Sequence, residues 1–359
     1  MSDNPAPLAP ARRAAILARL ARDGAVRVSD LIDELAVTPV TLRRDLAQLE
    51  DEGLLVRVHG GAVRPTAGGM PAPVSLEGGG QLGVLVPSLN YYWPSVVAGI
   101  EAEAQRLGFA LLQRSASYEL QDERPLLERL VREEGVRGLV VAPNTDTEHA
   151  QDVIDWLAGS GVPAVLAERD AVLLPVGTPV ESVTTDHGLG AALAARHFAS
   201  LGHRRVGLVL SRFSPTSRKI EAGWALACAS LGLDTGETRS LPDRSSPDFS
   251  SAVAATLDAA VDAGVTALLV HSDPEAMAVV DVALSRGIAV PGQLSIIAYD
   301  DEIARLFTPA LSAVSPPRAA VGAAAAQLLA ARIADPGRPV HRVVVSPALN
   351  LRESTAPAP

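Results

Sequence analysis

The feature that most constrains the fold of this chain is an alternation of short apolar runs with alanine-rich stretches between residues 82 and 355. The runs have the length of buried strands, and the stretches between them space their apolar residues as helices do. About ten such units in about 280 residues predict two parallel, doubly wound α/β sheets. Representative runs are LGVLVPS, FALLQRS, GLVVAPN, PAVLAERD, RVGLVLS, ALLVHS and SIIAYD.

A stretch rich in glycine and proline, RPTAGGMPAPVSLEGGG, precedes this region and has no apolar periodicity. Such composition is typical of a flexible linker. We therefore expect an N-terminal domain at 1–64, a linker at 65–81 and a large domain at 82–359. Because 359 residues exceed the size of one ordinary core, several domains are expected on length alone.

Charge is distributed unevenly between these parts. The first 65 residues carry nine arginines and nine carboxylates, so the rest of the chain carries the whole net charge of -10. Because residues 66–359 are acidic, they repel phosphate. Any contact with nucleic acid must therefore come from arginines in residues 1–65. The single cysteine, Cys228, excludes a disulfide framework, and no apolar run suits a membrane span; both predict a cytoplasmic protein.

The segment TPVTLRRDLAQLE predicts a helix with its cations at the N-terminus and its carboxylates at the C-terminus. This order opposes the helix dipole, so packing alone does not account for it. Leu42, Leu46 and Leu49 form an apolar stripe, and the arginines lie on the other face. Ser29 and Thr38 suit the N-caps of the second and third helices. A helix that enters a major groove with its N-terminus first needs its donors at that end.

The next segment, LLVRVHGGAVRP, alternates apolar and polar residues and then offers a Gly-Gly turn, as a β-hairpin does. Helix, turn, helix and hairpin together make a winged helix-turn-helix. Periodicity alone fits equally well a small helical bundle capped by a hairpin.

The stretch RRAAILARLARDGAVRVSDLIDELAVTPVTLRRDLAQLEDEGLLVRVHGGAV resembles the DNA-binding domain of the DeoR family. The resemblance implies that the start of the third helix faces bases or phosphates and that the wing contacts the DNA backbone. Arg57 could instead only solvate its strand. The candidate DNA-binding residues are Thr38, Val40, Thr41, Arg43, Arg44, Gln48, Arg57 and His59.

Motifs that would indicate catalysis are missing or incomplete. GLGAAL, residues 188–193, lacks the third glycine of a dinucleotide fingerprint and favours a helix start. The sequence has no nucleophile elbow and no phosphate loop, and its seven histidines show no metal-ligand spacing. Cys228 lies in an alanine-rich stretch as a core thiol. We therefore expect a binding protein without catalytic residues, metal or cofactor.

Two features of the large domain favour a polyol ligand. Tyr91, Tyr92 and Trp93 follow the first strand, where a doubly wound fold opens its cleft, and aromatic rings stack on sugars. Any one of these rings could equally pack between subdomains. Asp300 and Asp301 end a buried strand, where a carboxylate can accept bonds from sugar hydroxyls or simply cap the next helix.

From Leu82 to Thr355 the chain resembles the effector-binding domain of LacI/GalR repressors, through GVLVPSLN, GIEAEAQRLGF, LGHRRVGLV, GIAVPGQLSIIAYDD and LNLREST. This resemblance implies a fold like that of periplasmic binding proteins of type I, with two subdomains joined by three crossovers and a sugar between them. The N-subdomain is expected at about 82–175 and 316–338, and the C-subdomain at about 176–315 and 339–355. The implied ligand-binding residues are Ser88, Asn90, Tyr92, Trp93, Arg218, Ser272, Asp273 and Asp300.

This sequence departs from the family pattern in several places. Ser272-Asp273 stands where Asn-Asp is usual, and Pro316 where some members have a polar ligand residue. LacI-type repressors also carry a hinge helix between their domains, which this sequence does not encode, whereas DeoR-type proteins usually carry an isomerase-like sensor. The chain thus resembles a hybrid of the two families.

Together these features predict a homodimeric transcriptional regulator, a repressor more than an activator, that binds a double-stranded DNA operator and a sugar effector and does not contact a membrane. Two alternatives stay open at this point. One is a cytoplasmic sugar-binding protein without DNA activity, and the other is an enzyme on a Rossmann-like domain.

Overall fold

The computed structural model forms two compact units, one in Met1–Ala72 and one in Pro73–Pro359. The division falls within the segment expected as a linker. The residues that the structure describes are 9–23, 25–35, 37–51, 55–58, 61–63, 80–116, 122–212, 214–236 and 238–359.

The N-terminal unit contains the expected three helices and the hairpin. Its hairpin gains a third strand, because β1 pairs antiparallel with β3, which also pairs with β2. With only three residues, β1 is too short to show a period, so the sequence did not indicate it. Helix α2 begins one residue before the expected cap, Ser29. The elements are α1 Ala9–Asp23, β1 Ala25–Arg27, α2 Val28–Leu35, α3 Pro39–Asp51, β2 Val56–Val58 and β3 Gly61–Val63.

The apolar stripe of α3 forms the centre of this unit. Leu42, Leu46 and Leu49 are buried against apolar residues of α1 and α2. The guanidinium of Arg12 donates to the carboxylate of Asp45 at 2.8 Å, which ties α1 to α3. The fold is therefore a winged helix-turn-helix, with its third helix fixed on one face and open on the other.

The C-terminal unit begins with seven strands and three helices, and two of the strands form a small hairpin. These are β4 Gln81–Val86, α4 Trp93–Arg106, β5 Ala110–Ser115, α5 Arg124–Arg132, β6 Gly138–Val141, α6 Ala150–Gly159, β7 Ala164–Ala167, the small hairpin β8 Val172–Leu173 with β9 Thr178–Pro179, and β10 Ser182–Thr185. The later elements are α7 His187–Ser200, β11 Arg205–Ser211, α8 Ser217–Leu231, β12 Asp234–Thr235, β13 Arg239–Leu241, α9 Phe249–Asp262, β14 Ala267–His271, α10 Asp273–Ser285, β15 Ser295–Tyr299, a 3₁₀ turn Ala304–Leu306, β16 Ser312–Ser315, α11 Arg318–Ala334, β17 Arg342–Val345 and β18 Ala348–Asn350.

Two sheets result, as expected. The first has the strand order β17-β10-β7-β6-β4-β5 and is parallel throughout. The second has the order β12-β11-β14-β15-β16-β18, with β13 beside β11, and only β18 is antiparallel. Neighbouring residues of one strand enter different cores, as Val84 and Leu85 do, so helices cover both faces of the sheet.

The chain passes between the two subdomains three times, but two of the expected boundaries were misplaced. Strand Ser182–Thr185 pairs with β7, and strand Arg342–Val345 pairs with it in turn, so both belong to the first sheet. The expected boundaries near 175 and 338 therefore move to Asp186 and to the turn after Val345. β10 has the sequence SVTT and is fully buried, so it presents no apolar run that would identify it.

Helices α4 and α11 approach so closely that glycine is required at their crossing. A Cβ at Gly322 would lie 2.0 Å from the carbonyl oxygen of Val96, and one at Gly99 would lie 2.1 Å from that of Ala319. The GLGAAL segment lies in α7, where Gly188 contacts α8, and it is Gly223 of α8 that must be glycine: a Cβ there would lie 2.3 Å from the Cα of Gly188. Cys228 is a buried core thiol, and burial raises its pKa to about 11. None of the described helices has the length and apolar character needed to cross a membrane.

We predict that Gly322→Ala lowers the free energy of unfolding by about 1–3 kcal/mol, because the methyl group overlaps backbone that must shift. Gly159→Ala is the matched control, since nothing lies within 4 Å of the corresponding Cβ position at the end of α6. Urea unfolding of both variants measures the difference. Equal midpoints would show that the α4–α11 crossing tolerates a side chain.

Candidate functional site

A cavity of about 300 Å³ lies in the cleft between the two subdomains. Its walls come from residues that follow the carboxyl ends of β4 and β7 in one sheet and of β11, β13, β14 and β15 in the other. This is the place where open α/β sheets bind ligands. The lining mixes aromatic rings, carboxyl groups, guanidinium groups and hydroxyls.

Three consecutive aromatic residues form one wall, as the sequence predicted. Tyr91, Tyr92 and Trp93 all line the cavity, and the rings of Tyr92 and Trp93 meet edge to face at 5.6 Å. The guanidinium of Arg169 lies 5.6 Å from the centre of the Trp93 ring, and that of Arg318 lies 5.6 Å from the centre of Tyr92. The rings are thus held by packing and cation–π contact before any ligand arrives.

The carboxylate of Glu168 is the centre of a buried hydrogen-bond network. It accepts bonds from the Tyr92 hydroxyl at 2.7 Å and from the hydroxyl and amide of Thr185 at 2.7 and 2.9 Å. Nε2 of His187 lies 3.3 Å away, and Nδ1 of the same ring lies 3.0 Å from the Tyr299 hydroxyl. Through its two ring nitrogens the imidazole of His187 joins Glu168 to Tyr299, which links the two subdomains at the first crossover.

Burial by itself raises the pKa of Glu168, but the interaction with His187 and the hydrogen bonds from Thr185 and Tyr92 outweigh it and lower that pKa to about 2. Burial, with the charge of His187, lowers the pKa of the neighbouring His271 to about 3. The lining of the cavity therefore includes the ionised carboxylate of Glu168 and the neutral imidazole of His271.

Asp300, expected as a ligand residue, lines the cavity at the end of β15. Burial and the nearby charge of Asp273 raise its pKa well above the ordinary value for an aspartate. A carboxyl group that retains its proton more readily can donate as well as accept a hydrogen bond, which suits a partner that is itself a hydroxyl. The guanidinium of Arg318 donates to the carbonyl oxygen of Asp300 and fixes the backbone there.

Backbone strain is concentrated in the walls of this cavity. Among the described residues, the non-glycine residues with positive φ are Tyr91 at 60°, Glu168 at 57°, Asp300 at 101° and Asp301 at 54°. Three of them line the cavity and the fourth follows Asp300. Such conformations are costly and cluster at functional sites, so they identify the cavity independently of its shape.

Four of the eight expected ligand residues line the cavity: Tyr92, Trp93, Ser272 and Asp300. Asp273 does not, because its carboxylate accepts four backbone N–H bonds from residues 301–304 and so holds the loop after β15. It is a buried capping residue whose pKa burial raises.

The other three expected residues also lie outside this cavity. The Ser88 hydroxyl accepts the amide of Asn90 at 3.0 Å and shapes the loop after β4. Arg218 pairs with Asp146 and lines a neighbouring polar cavity. Ser217, the residue before it, lies on the buried face of α8. Successive residues of a helix are rotated by about 100°, so the Arg218 side chain points outward.

The sequence analysis missed several lining residues, among them Glu168, Arg169, Asp243 and Glu275. The sequence did indicate Glu168 and Arg169, because in PAVLAERD they directly follow an apolar run that predicts a buried strand. Of the described residues, no group of three His, Cys, Asp or Glu is arranged to hold a metal ion.

In the N-terminal unit, the expected DNA-facing side of α3 is open. Arg44 and Gln48 are exposed, Thr41 is half-buried, and the Thr38 hydroxyl accepts the amide of Thr41 at 3.3 Å as an N-cap. Val40 and Arg43 lie in α3 and Arg57 lies in β2, but their side chains are outside the described part of the structure. His59 falls outside the described residues altogether.

Family models match both units: a DeoR-like helix-turn-helix domain at residues 12–67 and a periplasmic binding protein-like domain at residues 195–355. The regulator reg1 of Streptomyces lividans is 31% identical over 81% of this chain and 86% of its own length. The HTH-type transcriptional repressor PurR of Photobacterium profundum is 27% identical over 76% of this chain and 80% of its own length. A LacI family regulator from Enterococcus faecium, solved with bound ribose, is 25% identical, with a TM-score of 0.64 over 78% of this chain and all of that one.

A winged helix with an exposed third helix, joined to a two-lobed domain with a strained and polar cleft, defines a ligand-responsive transcriptional regulator. With the similarity to these relatives, the chain belongs to the LacI family of transcriptional regulators and carries a DeoR-like helix-turn-helix domain.

We predict that Glu168→Gln lowers the free energy of unfolding at neutral pH and removes part of its pH dependence. The wild-type pKa is about 2 in the folded protein, below the ordinary glutamate value of about 4.3. Between these values the unfolded chain takes up a proton that the folded chain does not, so this contribution is full above about pH 4.3 and disappears towards pH 2.

Urea unfolding of wild type and variant at several pH values measures this difference, which should shrink as the pH falls. Glu101→Gln, at an exposed glutamate of α4, is the control for loss of one charge. A difference between wild type and Glu168→Gln that stays constant down to pH 3 would contradict the prediction.

Proposed function

We propose that this chain is a homodimeric repressor that binds operator DNA through α3 and the wing, and that an uncharged sugar in the cleft changes its affinity for that operator. The observation that carries the ligand part is the cavity itself, where three aromatic residues face a buried carboxyl group of raised pKa and the backbone is strained. Rings that stack on C–H faces and a carboxyl that exchanges hydrogen bonds with hydroxyls are what a sugar requires.

The charges of the cavity favour a neutral ligand over a phosphorylated one. Three carboxylates line it, from Glu168, Asp243 and Glu275, against two guanidinium groups, while the raised pKa of Asp300 favours its uncharged form. One of those, Arg169, already donates to the backbone carbonyls of residues 143 and 168. A phosphate group would meet a site that repels it.

The proposed DNA contacts are those of the exposed side of α3. Arg44 and Gln48 point away from the core that Leu42 and Leu46 form, and guanidinium and amide groups are the donors that read base edges or hold phosphates. Two such helices in a homodimer would span two half-sites of an operator. Operator DNA as the partner agrees with the cytoplasmic location expected from the sequence.

Closure of the cleft around the sugar would change the relative position of the two subunits and hence of their winged helices. The sugar acts only through its different affinity for the open and closed states. Repression is supported by the relative that is itself named a repressor.

The test is fluorescence anisotropy of the full-length protein on DNA from upstream of its own gene, titrated with free sugars and with sugar phosphates. We expect specific binding that one or more free sugars release and that sugar phosphates leave unchanged. Release of the operator by a sugar phosphate alone would overturn the proposed ligand class. If sugars instead strengthened specific binding to the operator, the sugar would be a corepressor and not an inducer.

We predict that Arg44→Ala weakens operator binding by about tenfold or more, a loss of about 1–3 kcal/mol as expected for one base or phosphate contact, and leaves sugar affinity unchanged. Anisotropy on the operator and calorimetry with the sugar measure the two activities. Arg286→Ala, which removes a guanidinium at the end of α10, is the control. If Arg44→Ala bound the operator like wild type, α3 would not be the reading element.

A further inference from the structure

A second cavity, of about 470 Å³, opens beside the aromatic one. The two share Ser211 and Ser214 in their walls, so they are neighbouring parts of one cleft. Hydroxyl groups dominate its lining, from Thr145, Thr147, Ser217 and Ser240 in addition to the two shared serines.

The second cavity also spans the two subdomains. Asp146 follows β6 in the first sheet, and Arg218 lies in the first turn of α8 beside the second sheet; their side chains form an ion pair across the cleft. The next residue, Lys219, forms a similar pair with Asp170. The Arg218 and Asp146 side chains remain 72% and 39% exposed. Because an exposed ion pair contributes little stability, ligand hydroxyls can bind to both partners at small cost.

The charges of this second cavity cancel. Arg212 and Arg218 oppose Asp146 and Glu221, and no aromatic residue lines it. A group bound there would be held by hydrogen bonds rather than by stacking, and it would carry no net charge. A carboxylate beside a guanidinium, surrounded by hydroxyls, can accept from and donate to neighbouring hydroxyls of one sugar ring.

We propose that the effector is a neutral two-ring glycoside, with one ring in the aromatic cavity and the second in the polar cavity beside Arg218 and Asp146. This inference rests on the proposed function, since it extends the same cleft. The shared wall of Ser211 and Ser214 places the glycosidic link between the two cavities. Arg218 does not line the aromatic cavity, but in this arrangement it contacts the second ring of the ligand.

The experiment is calorimetric titration of the full-length protein with glucose, galactose, xylose, fructose and ribose, and with cellobiose, maltose, lactose, sucrose, trehalose and xylobiose. We expect one disaccharide to bind at least about tenfold more tightly than either of its component sugars. Ser240→Trp, which fills the polar cavity, should remove that advantage and leave the affinity for the single ring within about twofold. Ser285→Trp, at an exposed serine at the end of α10, is the matched control.

A second variant, Asp146→Asn, changes the polar cavity without added bulk and should lower disaccharide affinity while single-ring affinity stays constant. This keeps the test decisive if Ser240→Trp does not fold. Binding of a single-ring sugar alone, unaffected by either variant, would overturn the two-ring proposal and leave the sugar-responsive regulator intact. Failure of every sugar to bind would overturn both.

Discussion

The buried carboxylate of Glu168 is the interaction on which the arrangement of the sensor depends. An ionised group at that depth is tolerated only when hydrogen bonds replace its water, and Tyr92, Thr185 and His187 provide them. These partners come from the loop after β4, the end of β10 and the first crossover. The hydrogen bonds to the Glu168 carboxylate therefore hold Tyr92 in the aromatic wall of the cavity, and they hold the segment where the chain first passes between the subdomains. Tyr299 extends the same network into the second sheet.

The cleft combines rigid and strained elements. The aromatic wall is held by Arg169 and Arg318, and the loop after β15 is held by the Asp273 carboxylate. The conformations with positive φ occur at the ends of β7 and β15 and before α4. Packing on both faces of each sheet can sustain this strain because helix pairs such as α4 and α11 meet at backbone distance. A binding site of this kind needs little rearrangement of its own walls, so relative movement of the subdomains is the natural response to a ligand.

The sequence predicted those helices and strands whose buried faces consist of apolar residues. Strands such as β4 and β14 consist almost entirely of apolar residues, and α3 has a clear leucine stripe, so their existence and type were evident. β10 was not, because a buried strand of sequence SVTT has no apolar signature. Half of the expected ligand residues line the cavity. Asp273 and Arg218 lie outside it, because a residue's place along the chain does not fix which way its side chain points.

The ion pair between Lys219 and Asp170 has a practical consequence, because Lys219 is the only lysine in the chain. All other cationic side chains here are arginine or histidine, and these do not form amides with active esters. Apart from the terminal α-amino group, a reagent for primary amines therefore has one side chain to modify, and that side chain bridges the two subdomains. The protein carries a natural attachment point for a single fluorophore or cross-linker, placed where its environment changes whenever the subdomains move.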